Sequence, residues 1–333
     1  MSGPIIISNG HGEDMIGNAL ARVFKNSRAI ALIGPGLHYT AIPCMAPFPI
    51  LPSGGFLRSV RAIWGDLRAG LLSQLYRQHR FLKRELAGQS PVIIVGDVAC
   101  VIQVYLAYTG PRYCLATAKS HRFMHHSWLE RRILATCCRQ VFTRDSQTAQ
   151  DLKKQGVNAT YAGSFLKLLD PPQEILPDGQ YIGLLPGSRA EAVANFKKLC
   201  QLIPQNRSYL MAVSPGDTAR FTPLLPPHIT LCAFSTVLAH SGVIIGLAGT
   251  ANEQAVAYNR TVITCRGTGT QTTLQRLQEQ RALLGDRLVV VPDTPAAIAQ
   301  AIQTHWRPPE PIQWHQSDTM ARIHAAITCD SAY

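Results

Sequence analysis

Acidic residues are scarce in this chain: 20 Asp and Glu stand against 32 Lys and Arg, which leaves a formal net charge of +12. Such a balance favours an anionic partner: nucleic acid, an anionic membrane surface or a phosphorylated substrate. Aromatic residues make up 7% of the chain, and the basic residues do not interleave with them as in a base-stacking platform. Nucleic acid is therefore not the expected partner, although a non-enzymatic, basic nucleic-acid-binding protein is kept as an alternative.

Three further signals are missing. The nine cysteines include no Cys-x-x-Cys pair, so neither a disulfide framework nor a zinc site is expected. No stretch reaches the roughly 18 apolar residues that a membrane-spanning helix requires. The start, MSGPIIIS, has no basic region, which is typical of a strand and not of a signal peptide. We expect a cytoplasmic protein that touches a membrane, if at all, as a peripheral protein on its inner face.

Short apolar runs alternate with amphipathic segments along most of the chain. These runs lie at 4–8, 29–33, 91–96, 112–117 and 140–143, and again at 181–185, 208–213, 242–246, 260–265 and 287–291. Strands that alternate with helices predict parallel sheets built from β-α-β units. A segment rich in Pro, Asp and Gly at 169–180 separates the two sets. We therefore expect an α/β protein of two doubly wound, Rossmann-like domains, 1–165 and 178–310, that face a central cleft, with a helix in 311–333 packing back on the first.

Ligands of open α/β sheets bind beyond the carboxyl ends of the strands, and two such ends stand out in the first domain. The strand at 4–8 runs into a glycine-containing turn, where His11 and Asp14 are placed to orient a hydroxyl. An ordinary strand-to-helix turn with acids at a helix N-terminus is the alternative. Asp97 follows the strand at 91–96, where a carboxylate acts either as a general base or as a helix cap. His11 and Asp97 are the candidate bases.

The second domain has the same construction at two strand ends. Ser188 and Arg189 follow the strand at 181–185, and their backbone N–H groups and guanidinium suit a phosphate; a serine cap with a solvated arginine is the alternative. After 242–246, the turn at Gly249 and Thr250 opens a helix whose N-terminus suits a pyrophosphate. Glu253 lies one turn further on, where its carboxylate can accept both hydroxyls of a ribose. A capping box between Thr250 and Glu253 explains the same spacing.

Five strings occur in order along nearly the whole chain: SNGHGED (8–14), PSGGF (52–56), DLRAGL (66–71), LLPGSR (184–189) and GTANEQA (249–255). The last two resemble segments of lipid-A-disaccharide synthase, a family of nucleotide-sugar glycosyltransferases with the two-domain GT-B fold. The whole set is similar to the cyanobacterial type of lipid-A-disaccharide-synthase-related proteins. The resemblance implies that a hexosyl group moves from a UDP-sugar donor to a lipid-linked or other membrane-associated acceptor. No Asp-x-Asp pair occurs, in keeping with a metal-independent reaction that uses no cofactor.

Carried over residue by residue, the resemblance makes Asp97 a candidate base and Arg189 the arginine of LLPGSR that stabilises the departing diphosphate. It assigns nucleotide binding to the turn after the strand at 242–246, namely Gly249, Thr250, Ala251, Asn252, Glu253 and Gln254, with Ser188 near the pyrophosphate. Segments 9–14, 163–165 and 259–261 differ from the synthase pattern, so the sugar and the acceptor are not assigned. A UDP-sugar epimerase of the same architecture is the alternative enzyme, and a homodimer is left open.

The segment 54–86 combines apolar residues at three- and four-residue steps with seven Lys or Arg and two acids. This spacing predicts an amphipathic helix whose apolar face includes Leu71, Leu72 and Leu75. Such a helix with a basic flank and a Trp suits an anionic bilayer, and a core-packed helix with a solvated basic face is the alternative. Because an enzyme with a lipid acceptor must reach the bilayer, we favour the membrane.

Overall fold

The computed structural model describes residues 3–45, 48, 71–88, 91–121, 124–169, 171–172, 174, 176–187, 190–213, 215–269, 272–314 and 317–330. The chain divides into two compact units. The first comprises residues 1–165 together with 316–333, and the second comprises residues 166–315. None of the described helices combines the length and the hydrophobicity that spanning a bilayer requires.

The first unit is a parallel sheet with helices between its strands. Its strands are β1 (Ile5–Ser8), β2 (Arg28–Ala31), β3 (Cys44–Met45), β4 (Val92–Gly96), β5 (Arg112–Ala116), β6 (Gln140–Thr143) and β7 (Ala159–Thr160). Its helices up to β7 are α1 (His11–Val23), α2 (Leu71–Glu85), α3 (Val98–Ala107), α4 (Trp128–Cys137) and α5 (Ser146–Lys154). The strand order is β3-β2-β1-β4-β5-β6-β7, so the order reverses at β1 and β4, where a doubly wound sheet opens a crevice.

The second unit is built in the same way. Its strands are β8 (Tyr181–Leu185), β9 (Ser208–Met211), β10 (Ile229–Leu231), β11 (Ser241–Gly246), β12 (Val262–Thr264) and β13 (Leu288–Val290). Its helices are α6 (Ala192–Leu202), α7 (Thr218–Phe221), α8 (Phe234–His240), α9 (Thr250–Ala257), α10 (Leu274–Leu284) and α11 (Pro295–His305). The strands run in the order β10-β9-β8-β11-β12-β13, and the reversal lies at β8 and β11.

The last helix, α12 (Ser317–Asp330), belongs to the first unit and packs against α1. The rings of Phe24 and His324 lie 4.6 Å apart. Arg322 donates a hydrogen bond to the carbonyl oxygen of Ala162 at 3.3 Å. Gly163, near the end of the 1–165 segment of this unit, has a φ of 135°. A Cβ at this position would collide with the side chain of Thr319 in α12. These contacts connect the chain's last helix to its first.

The central strands are buried because they are covered on both faces. Every residue of β1 and β4 is buried, which is the continuous apolar pattern expected of a parallel sheet between two helix layers. All ten predicted strands are present, and the prediction of two doubly wound, Rossmann-like sheets is confirmed. Three strands were not predicted: β3, β7 and β10. Each is two or three residues long and lies at an edge of its sheet.

The amphipathic helix predicted for 54–86 is described from residue 71 onward, where α2 begins. The face that it buries consists of Gln74, Gln78 and Leu82, and Gln78 Nε2 donates to the carbonyl oxygen of Leu32 at 2.7 Å. Leu72 is instead 69% exposed. Leu72 therefore does not lie on the side of the helix that packs on the sheet and α3, and contact of its apolar face with a membrane stays a prediction. Residues 54–70 lie outside the described ranges.

Candidate functional site

The carboxyl ends of β1, β4 and β5 bring three polar segments of the first unit together. The three strands are neighbours and parallel, so the residues that follow them meet at one edge of the sheet. Asn9 Nδ2, after β1, donates to Asp97 Oδ1, after β4, at 3.0 Å. Thr117 Oγ1, after β5, donates to Glu13 Oε1 in α1 at 3.0 Å. Hydrogen bonds thus connect all three strand ends.

Asp97 is half-buried and caps α3, where its Oδ1 also accepts the backbone N–H of Cys100 at 3.1 Å. The helix-capping interpretation is therefore correct. It does not compete with the role of a base, because both hydrogen bonds use Oδ1 and no donor among the described residues reaches Oδ2. Gly96 is required here, since a Cβ at that position would collide with the side chain of Asn9. The role of Asp97 as a base stays a prediction.

A small cavity of about 20 Å³, room for about one water molecule, lies beside Asp97 and is lined by the ends of β4 and β5 and by α4. Its charged residues besides Asp97 are Lys119 and Glu130, whose Nζ and Oε2 atoms lie 2.7 Å apart. His126 also lines it and is 9% exposed. Burial lowers the pKa of His126, and the Glu130 carboxylate opposes this only in part. Its imidazole is therefore neutral at pH 7 and can accept or donate a hydrogen bond.

The sequence analysis missed Lys119, His126 and Glu130. A single signal was available: Ser127 and Glu130 have the spacing of a capping box, which the structure confirms at the start of α4. That spacing indicates a helix but not a pocket. The three side chains come together because α4 and the segment after β5 line the same cavity.

Asp14 lies beneath this edge of the sheet and is fully buried. Its Oδ1 accepts a hydrogen bond from Ser8 Oγ at 2.6 Å, and Ser8 Oγ accepts one from the hydroxyl of Tyr39 at 2.9 Å. Burial raises the pKa of Asp14 to about 7, against the effect of the Ser8 hydrogen bond. The prediction that Asp14 orients a substrate hydroxyl is not supported by this position, because Asp14 orients Ser8.

In the second unit, β8 and β11 are neighbours, and the turns that follow them adjoin. The backbone N–H of Leu247 donates to the carbonyl oxygen of Leu185 at 2.8 Å. Gly187 has a φ of 100°, in the region that favours glycine, and a Cβ there would lie 3.3 Å from the oxygen of Leu247. The turn at Pro186 and the turn that opens α9 therefore share one edge of the sheet.

Helix α9 begins without a side-chain cap. Its N-cap is Gly249, and Thr250 is the first helical residue, with its side chain exposed. The capping box offered as an alternative for Thr250 and Glu253 is therefore wrong, because Thr250 does not occupy the capping position. The first intrahelical bond runs from the Glu253 N–H to the Gly249 oxygen at 3.3 Å. The N–H groups of residues 250–252 are left for an anion or for water.

Three of the four buried residues of α9 are polar. Asn252, Glu253 and Gln254 are 0%, 9% and 4% exposed, and Ala251 is half-buried. Asn252 Nδ2 donates to the carbonyl oxygen of Gly246 at 3.2 Å. A Cβ at Gly246 would collide with Asn252, just as one at Gly96 would collide with Asn9. Both units thus have a strand-end glycine against which an asparagine packs. With 9% of its surface exposed, Glu253 lies mostly below the protein surface.

Two residues that were not predicted hold the turns of the second unit in place. Asn195 in α6 is buried; its Nδ2 donates to the Pro186 oxygen at 3.3 Å, and its Oδ1 accepts the N–H of Thr268 at 2.7 Å. Gln280 in α10 donates from Nε2 to the Gly249 oxygen at 3.2 Å. No local spacing predicts these contacts, because Thr268 lies 73 residues after Asn195 and Gln280 lies 31 residues after Gly249.

Three predicted site residues are not placed. Ser188 and Arg189 lie outside the described ranges, and of His11 only the backbone at the start of α1 is described. The string PSGGF and most of DLRAGL also lie outside them. At 259–261, where the sequence departs from the synthase pattern, Asn259 has a φ of 62°. Asn is among the few residues that adopt this left-handed conformation readily.

No protein-family model matches the chain, and a search of curated proteins finds no match. Solved structures do resemble it over nearly their whole length. UDP-GlcNAc 2-epimerase from Methanocaldococcus jannaschii aligns with a TM-score of 0.56 at 13% identity, covering 97% of this chain and 99% of its own.

Two other structures align comparably. UGT2 from Phytolacca americana, complexed with UDP-2fluoro-glucose and pterostilbene, has a TM-score of 0.52 at 10% identity and coverages of 98% and 93%. MurG from Acinetobacter baumannii has a TM-score of 0.51 at 12% identity and coverages of 98% and 99%. Together with the two doubly wound sheets, these likenesses show that the chain has a GT-B type fold.

Proposed function

We propose that this protein is a glycosyltransferase that moves a hexosyl group from a UDP-sugar to a lipid-linked or other membrane-associated acceptor, as lipid-A-disaccharide synthase does. The observation that carries the proposal is the start of α9, an uncapped helix N-terminus followed within one turn by the buried carboxylate of Glu253. The GT-B fold supports it, since structures that share this fold include one complexed with a UDP-sugar analogue.

The donor occupies the second unit in this proposal. Its pyrophosphate accepts the N–H groups of the first turn of α9, where the helix dipole favours negative charge. The turn at Gly187, which adjoins Leu247, brings a second stretch of backbone close to the pyrophosphate. Ser188 and Arg189 follow this turn in the sequence. Glu253 accepts the ribose hydroxyls. Because Glu253 is only 9% exposed, binding requires that the ribose reach into the turn.

The acceptor hydroxyl is activated in the first unit. Asp97 Oδ2 takes the hydroxyl proton while the acceptor oxygen forms a bond to the anomeric carbon of the sugar. The bond between that carbon and the β-phosphate oxygen breaks, and UDP leaves with the electron pair. The helix N-terminus and Arg189 stabilise the charge that develops on the diphosphate. His11 is the alternative base, and the neutral His126 lines the small cavity beside Asp97.

A surface of three adjacent helices supports a membrane-associated acceptor. Helices α2, α3 and α4 pack in this order, and each exposes large apolar side chains: Leu72, Tyr76, Tyr105, Leu106, Trp128 and Leu129. We call these six residues the apolar surface. Exposed basic residues accompany it on α2, including Arg80 and Lys83. Exposed apolar side chains accompanied by cations suit a face that contacts an anionic bilayer.

A UDP-sugar epimerase is the second candidate, because an epimerase with this fold aligns over 97% of the chain. The test is an assay of UDP release from UDP-hexoses with and without a lipid extract. A transferase releases UDP and labels a lipid only when the acceptor is present. Turnover of the donor without any lipid would favour the epimerase, and the absence of UDP binding would contradict both.

A further inference from the structure

We propose that His121, His125 and Asp151 of the first unit form a binding site for one divalent transition-metal ion, with zinc as the best match. Their ligand atoms all lie within 4.8 Å of one another. The proposal does not depend on the proposed function, and the sugar-transfer step is not routed through this ion. It departs from the sequence analysis, which found no metal motif because Asp151 stands 26 residues after His125.

The geometry of the three side chains suits a tetrahedral ion. His121 Nδ1 faces Asp151 Oδ2 as a direct hydrogen-bond partner. The ring of His125 meets that of His121 edge-on, with centroids 5.0 Å apart. Bonds of roughly 2.0–2.1 Å place the ligand atoms of a zinc tetrahedron about 3.3 Å apart. The ligand atoms, which lie within 4.8 Å of one another, must therefore approach by up to about 1.5 Å when the ion binds.

The chemistry of the ligands selects the class of metal. Two imidazole nitrogens and one carboxylate suit zinc, cobalt and nickel, whereas magnesium and calcium prefer oxygen ligands alone. The side chains of His121 and Asp151 are 35% and 42% exposed, and His125 is exposed as well. The site is therefore reachable from solvent, and a water molecule can complete the coordination.

Hydrogen bonds hold the two halves of this cluster together before any metal binds. The backbone N–H of His121 donates to Thr148 Oγ1 at 2.7 Å, and that hydroxyl donates to Asp145 Oδ2 at 2.7 Å. Asp145 is the N-cap of α5, and Asp151 lies one turn after Thr148 on that helix. Burial raises the pKa of Asp145, but hydrogen bonds from Thr148 and Ser120 outweigh it and lower the pKa overall. The anchoring carboxylate is therefore charged at neutral pH.

The site connects α5 to the segment that lines the pocket beside Asp97. Lys119 and His126 of that pocket flank the two metal-ligating histidines in the sequence. An ion held by His121, His125 and Asp151 would fix both ends of this segment to α5. We therefore assign the ion a positioning role for the pocket.

The experiment is a titration of the full-length, metal-free protein with Co²⁺, followed by the visible absorption of the bound ion and repeated with Zn²⁺ as competitor. We expect about one equivalent to bind, with no competition from excess Mg²⁺. His125→Gln and Asp151→Asn should each weaken Co²⁺ affinity by at least about tenfold, the smallest effect typical of lost second-shell partners of a metal. His305→Gln, in α11 of the other unit, is the matched control and should bind as the parent does.

Two results would overturn the proposal. One is a parent protein that binds no Co²⁺, or variants His125→Gln and Asp151→Asn that bind it as tightly as the parent. The other is an intense thiolate-to-cobalt band, because it would place the ion on some of the nine free cysteines. Hydrogen exchange of the amides at 117–121 gives a second readout and should slow when Zn²⁺ is added to the parent only.

Discussion

Replacing Asp14 by Asn should remove a large part of the pH dependence of stability in the first unit. The pKa of Asp14 is raised from 3.8 to about 7 in the folded protein, chiefly by burial. Between these values the unfolded chain gives up the proton and the folded protein keeps it. The free energy of unfolding therefore falls as the pH rises from about 4 to about 7, and it levels off above that.

The size of the effect follows from the shift. About three pKa units at 1.36 kcal/mol each amount to roughly 4 kcal/mol lost by pH 8, of which about 2–3 kcal/mol is lost between pH 5 and pH 8. Asn has the same shape as Asp, carries no charge, and can still accept the hydrogen bond from Ser8. Its amide nitrogen would take the place of Oδ2, which has no hydrogen-bond partner among the described residues. Asn and protonated Asp therefore each leave one buried polar atom without a partner.

The assay is urea unfolding of the parent and Asp14→Asn at pH 5 and pH 8, followed by circular dichroism. We expect the stability of the parent to fall by about 2–3 kcal/mol more than that of the variant over this interval. Comparing the two pH differences cancels every other titrating group. Asp286→Asn, at an exposed carboxylate, is the control and should behave as the parent does. Equal pH differences in parent and Asp14→Asn would refute the burial argument.

Three further outcomes are expected at the proposed sites. Glu253→Gln should weaken UDP binding by about 1–3 kcal/mol in calorimetry, the range for a charge-assisted hydrogen bond; an unchanged affinity would remove the ribose role. Asp97→Asn should lower turnover by roughly two to four decades while UDP affinity is kept, and full activity would transfer the role of base to another group. Leu72→Ser combined with Leu106→Ser should reduce sedimentation with anionic liposomes, whereas the exposed Leu274→Ser in α10 should not; equal losses would mean that the apolar surface does not contact lipid.

The fold prediction did not depend on the five strings that resemble the synthase family, because the alternation of apolar runs with amphipathic segments was sufficient. Each central strand, such as β1 or β4, is covered on both faces, so its sequence is a continuous apolar run that can be recognised by itself. The edge strands β3, β7 and β10 have fewer covered positions and two or three residues each. These short strands form by pairing with a neighbouring strand, and their own residues do not show a pattern that predicts a strand.

At the candidate sites, too, local features were predicted from the sequence and contacts between distant segments were not. The sequence by itself placed Asp97 directly after β4 and the Gly249 turn directly after β11, because a strand end and the following turn are local features. Only the tertiary structure brought His126 and Glu130 to Asp97. Likewise, it alone decided that Gly249 and not Thr250 occupies the N-cap position of α9. Burial and hydrogen bonding between distant segments set the environment of each side chain, and no spacing along the chain encodes them.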